Sequence, residues 1–154
     1  MGKQDIINAL YTFAHKRPGL EPGNYISDWR DVEGRRAYAA ESRSITKDLR
    51  EARVLLRQVE LSGISADQLI DAARRAFSGR LSINQNDKGE VIIDYCTGQY
   101  WPTEYRRAVC AVLASALWYH RRDDVPAHVE NKGQYLRNRF AKEYGRGLAS
   151  RWFN

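Results

Sequence analysis

Cysteine is scarce. The chain of 154 residues has two, Cys96 and Cys110, with no C-x-x-C spacing between them. That excludes a disulfide-built domain and a thiolate metal knuckle, and it points to a reducing compartment. Histidine is almost as rare: His15, His120 and His128 are far apart, and none has a His or Cys at a usual ligand spacing. Long apolar runs are missing too. The best is Ala108 to Trp118, AVCAVLASALW, well short of the ~20 residues a bilayer demands, so it reads as a buried helix. Lys3, Gln4 and Asp5 break up the start, where a secretory leader would need an apolar core. The chain has no G-x-S-x-G elbow, no glycine-rich phosphate loop and no H-E-x-x-H. The expectation is therefore no catalytic residues, no metal, no cofactor, and no membrane partner.

Acid is in deficit. Lys and Arg number 25 against 19 Asp and Glu, a net charge of +6. A mimic of DNA would be strongly acidic, so that class is excluded, and an anionic partner is permitted. Hydrophobic residues make up 43% of the chain, too many for a disordered segment and enough for one core. The expectation is a single domain over 1–154.

Residues 3–16 place Ile6, Ile7, Leu10, Phe13 and Ala14 at helical spacing. RPGLEPG at 17–23 is a turn or loop. From about Ala37 to Leu61 a second helix carries a seam at Tyr38, Ser42, Ile45, Leu49, Ala52, Leu56 and Val59. The seam closes either within the chain or between two copies in a homodimer. Ser65 and Gln68 form a capping box for a third helix, which ends at Gly79. The period then changes to two. Leu81 and Ile83, the turn residues Asn86 to Gly89, then Val91, Ile93 and Tyr95 read as a β-hairpin. Pro102 opens a fourth helix to about Arg122, apolar nearly all round. A last helix begins near Gln134, with Leu136, Phe140, Tyr144, Leu148 and Trp152 recurring every four residues and Gly145 and Gly147 as points of bending. The fold class is α+β, mostly α: about five helices with one β-hairpin packed on a central apolar helix.

Charge is distributed unevenly. Arg36, Arg43, Arg50 and Arg57 fall seven apart on one face of the second helix, with Lys47 and Arg53 beside them. They span roughly 30 Å, a length that suits several phosphates. Glu41, Asp48 and Glu51 fall on other sides of the wheel. In the last helix Tyr135, Arg139, Lys142 and Arg146 share a second face, where an aromatic beside cations can stack a base. A secondary surface is TGQYWPTEYRR at 97–107: Tyr100, Trp101 and Tyr105 bracket a proline turn, with Arg106 and Arg107 just inside a helix start. The plainer alternatives are solvated basic faces, arginines paired with acids of neighbouring helices, and aromatics that pack the hairpin onto the fourth helix. Glu90 and Asp94, paired on the hairpin, read as solvated carboxylates rather than an acid–base dyad.

Three stretches, RSITKDLREARVLLR at 43–57, CTGQYWPTEYRRAVCAVLASALW at 96–118 and GRGLASRWFN at 145–154, together resemble a group of small proteins encoded by tailed phages and prophages of Gram-negative bacteria. The resemblance covers most of the chain. The group has no assigned activity, so no residue role follows from it. It implies an accessory protein acting in the cytoplasm of a bacterial host, on a host protein, a nucleoprotein complex, or a nucleic acid or nucleotide. Inhibition of a defence system, of the anti-CRISPR, anti-restriction or nucleotide-signal sequestration type, is the expected outcome. The alternative is a direct nucleic-acid-binding regulator, although no helix-turn-helix pattern is present. A small enzyme built from scattered residues such as Tyr100, Arg106 and Asp94 is the least favoured reading.

Overall fold

A computed structural model describes residues 1–16, 28, 30–95 and 105–153. The order is α1 (Lys3–Ala14), α2 (Val32–Leu61), α3 (Ala66–Phe77), β1 (Leu81–Gln85), β2 (Val91–Tyr95), α4 (Tyr105–Arg122), α5 (Lys132–Tyr144) and α6 (Arg146–Trp152). The molecule is α+β and mostly helical. The proline turn at 102 and the loop 17–23 lie outside the described residues.

α4 is the centre. Val109, Cys110, Val112 and Leu113 are fully buried, and Ala108, Ala114, Ala116 and Leu117 nearly so. α1, α2, α3, α5 and α6 all pack against it. α1 buries Ile6, Ile7, Leu10, Phe13 and Ala14, the five positions that its period selects. Ser65 Oγ accepts from Gln68 N at 3.2 Å, while Gln68 Oε1 accepts from Ser65 N at 2.8 Å. This reciprocal box starts α3.

The hairpin is antiparallel, with Ile83 opposite Ile93 and Gln85 opposite Val91. Its turn is fixed by Asn86, whose Oδ1 accepts from Lys88 N and Glu90 N, and by Gly89 at φ +82°. The two strands rest on α1 and α3. An aromatic cluster joins those layers: Phe13 meets Tyr105 at 4.9 Å between ring centroids, and Phe77 meets Tyr95 at 5.4 Å. Tyr105 thus packs inward.

Two elements depart from expectation. α2 begins at Val32, about a turn and a half early, because Asp31 caps it by accepting from Gly34 N at 2.8 Å. The last helix is two helices. Gly145 sits at φ +92° and ψ 150° between α5 and α6, a conformation that only glycine adopts readily. The chain then folds back, and Phe153 stacks on Phe140 with centroids 4.0 Å apart. That stack anchors α6 and delivers Arg151 and Trp152 to α2.

A candidate anion-binding face on α2

α2 has two unlike sides. Its C-terminal half buries Ile45, Leu49, Ala52, Leu55, Leu56 and Val59, so that part of the seam closes within the chain against α1 and α4. The same side carries acids. Asp48 is completely buried and Glu51 nearly so, and Glu41 is half-buried. The helical wheel puts these carboxylates off the basic stripe, Glu41 and Asp48 standing three residues after Tyr38 and Ile45 of the seam, and the structure turns them into the interior.

Arginines meet them there. Arg106, on the first turn of α4, is 3% exposed, and its Nε donates to Asp48 Oδ2 at 3.2 Å. Its Nη2 donates to Glu41 Oε1 at 3.3 Å. Arg107 Nε reaches the same Asp48 oxygen at 3.1 Å. From α6, Arg151 binds Asp48 Oδ1 and donates to Glu51 Oε1 at 2.6 Å, and Trp152 Nε1 donates to Glu51 Oε2. Hydrogen bonding to Asp48, with the charges of Asp48 and Glu51, holds the Arg151 guanidinium above its ordinary pKa although partial burial opposes this. Three acids and three arginines thus join α2, α4 and α6. Buried charge on this scale is tolerated only when paired and hydrogen-bonded in this way.

The expected secondary surface is therefore corrected. Arg106 is an interior ion-pair partner, not part of an exposed face. Arg107 is partly exposed but its charge is directed at Asp48. Tyr100 and Trp101 lie outside the described residues.

The opposite side of α2 is basic. Arg36, Arg43, Lys47, Arg50, Arg53 and Arg57 are all exposed. Arg57 pairs with Glu60 at 3.4 Å. Among the described residues no ion pair engages Arg36, Arg43, Lys47, Arg50 or Arg53. Three of the five acids of this helix, Glu41, Asp48 and Glu51, are spent inside, while Glu60 pairs with Arg57 and Glu33 is exposed ahead of Arg36.

The second expected face is only partly assembled. Tyr135, Arg139 and Lys142 line one open depression on α5, of about 680 Å³, with Asn138 and Glu143. Arg139 donates to Glu143 at 3.1 Å, and Arg121 does so at 3.3 Å. Its bond to Glu143 holds the Arg139 guanidinium above its usual pKa and spends part of its charge. Arg146 lies beyond the Gly145 break and lines a different depression with Arg137, Ala149 and Phe153. The continuous four-residue face is therefore corrected to three residues plus a neighbour.

Cys110 is buried in α4, and its Sγ donates to the Asp48 carbonyl at 3.7 Å. Burial first, then the charges of Asp48 and Glu51, push its thiol far above the ordinary range. A neutral thiol is a poor nucleophile. Brief alkylation of the native protein near pH 8, followed by peptide mapping, is expected to leave Cys110 unmodified; rapid labelling would contradict its burial. Asp94 and Glu90 are both exposed, as solvated carboxylates would be. Among the described residues no cluster of His, Cys, Asp and Glu could hold a metal ion, and no helix is long and apolar enough to cross a membrane.

No protein-family model matches the chain, and no curated protein or solved structure matches it.

Proposed function

We propose that this chain is a non-enzymatic binding protein that holds an anionic partner along the outward face of α2. The sorting of charge on that helix carries the reading. Glu41, Asp48 and Glu51 turn inward to Arg106, Arg107 and Arg151, and the cations from Arg36 to Arg57 are left facing solvent. Like charges at i, i+3 and i+4 along a helix disfavour one another by a few tenths of a kcal/mol each. A row of them, without an ion pair among the described residues from Arg36 to Arg53, roughly 25 Å, is relieved when a polyanion lies along it.

The resemblance to phage and prophage accessory proteins extends this reading. The partner is then part of a host defence machine, and the protein inhibits it in the bacterial cytoplasm by holding the nucleic acid or an acidic protein surface of that machine. A direct regulator of nucleic acid would use the same face. Capture from host lysate with and without nuclease separates the two: an inhibitor keeps a defined protein partner after digestion, and a regulator loses everything it captured.

Changing Arg43, Arg50 and Arg57 together to Gln tests the face itself. All three are exposed, so the melting temperature should stay near wild type, exposed pairs such as Arg57–Glu60 contributing about 0–1 kcal/mol. Binding should weaken, and for duplex DNA the slope of log affinity against log salt should shrink by about 0.9 for each phosphate no longer neutralised. Unchanged affinity with an unchanged slope would remove α2 from the function.

A further inference from the structure

The arginine face ends beside an aromatic groove. α1 and α2 enclose an open groove of about 220 Å³. Its apolar lining comes from Ile7 and Leu56, which are 3% and 5% exposed. Tyr11 lines it from α1 with 44% of its surface exposed, and Arg53 and Arg57 line it from α2. These two arginines are the C-terminal members of the basic row, so row and groove are continuous. Resting on the anionic-partner reading above, we propose that the partner is single-stranded nucleic acid and that one of its unstacked bases lodges against Tyr11.

Each part of the groove has a counterpart in a nucleotide. An apolar floor and an exposed aromatic ring suit the face of a base, and every base has such a face. Arg53 suits the phosphate beside it. Glu60, the acid of the groove, pairs with Arg57 and is an acceptor for the exocyclic amine of a base. Asn8 also lines the groove; its Oδ1 accepts from Gln4 at 3.0 Å, which leaves its amide N–H groups for a base edge. The ring of Tyr11 is itself supported. His15 packs on it at 4.3 Å between centroids, and His15 does not line the groove. Duplex DNA keeps its bases stacked inside the helix and can offer this surface only phosphates. A single strand offers phosphates to Arg36, Arg43, Lys47 and Arg50 and a base to Tyr11.

The test is fluorescence anisotropy of the full chain with labelled single strands, DNA and RNA of equal length, against the matching duplex and against a single strand of abasic sugar-phosphate. The wild type should prefer the base-bearing single strand over both controls. Tyr11→Ala should weaken that complex by about 5- to 150-fold, the range expected for one base–aromatic stack, and Tyr11→Phe should keep it. Tyr11 is exposed, so circular dichroism should show both variants folded. Equal binding by Tyr11→Ala and wild type, or equal binding of abasic and base-bearing strands, overturns the base site. If Tyr11→Ala changes nothing while Arg43→Gln, Arg50→Gln and Arg57→Gln together weaken every complex, the base site fails and the arginine face stands. If the wild type binds no strand at all, nucleic acid is excluded and the base site falls, and the arginine face is then left to an acidic protein partner.

Discussion

Leu113→Asp is expected to abolish cooperative folding. Leu113 is fully buried in α4, the helix on which five others pack. Truncating a buried leucine costs about 2–5 kcal/mol through reduced burial and the cavity left behind. Placing a carboxyl group there without a hydrogen-bond partner adds about 2–7 kcal/mol. Together these reach the ~5–15 kcal/mol that holds an ordinary domain folded. Leu61→Asp serves as the control, because Leu61 is 65% exposed at the end of α2. That variant should melt close to wild type. A cooperative transition for Leu113→Asp within a few degrees of wild type would show that α4 is not the core.

Asp48→Ala should be the most damaging change of a charged residue. Asp48 is completely buried and accepts from Arg106, Arg107 and Arg151. Its removal takes from the buried Arg106 a carboxylate that it binds, Glu41 being another among the described residues. Breaking a buried pair from one side costs about 3–5 kcal/mol, because an uncompensated charge stays inside. Arg107 and Arg151 are partly exposed and can turn to water, so the loss falls on Arg106. The double change Asp48→Leu with Arg106→Met should therefore recover most of the stability, as apolar side chains of similar volume replace the pair. Denaturant melts of the two variants decide it. A double variant no more stable than Asp48→Ala would mean that the cluster works through Arg107 and Arg151.

Most of the architecture was legible because it follows from period and caps. The five buried positions of α1 recur at helical spacing, Ser65 and Gln68 announce the start of α3, and the switch to period two marks the hairpin. What escaped depends on distance in sequence. Asp48 stands seven residues before Leu55, which is fully buried, so it occupies the same side of the wheel as the core. Glu51 stands four before it. Those offsets were available as a signal, together with Arg106 and Arg107 at the start of the most apolar helix. A charged residue on an apolar stripe needs a partner, and here the partners come from 58 and 103 residues away. Tyr11 escaped for a different reason. It flanks the core positions of α1 without joining them, and its relation to Arg53 and Arg57 exists only once α1 lies along α2. The break at Gly145 was visible as a point of bending, but its consequence was not. Only the stacking of Phe153 on Phe140 shows that α6 turns back to carry Arg151 inward.

The outward row of α2 is legible directly in the sevenfold spacing of its arginines. Whether it binds is a matter for titration. The most direct measurement is a heteronuclear NMR titration of the isotope-labelled chain with a short single-stranded oligonucleotide at low salt, following backbone amides and arginine Nε groups. Shift changes are expected to concentrate on Arg36, Arg43, Lys47, Arg50, Arg53 and Arg57, with Tyr11 at the end of the row, and to fade as salt is added. Changes confined to Tyr135, Arg139 and Lys142 on α5, with the α2 signals unmoved, would contradict the assignment.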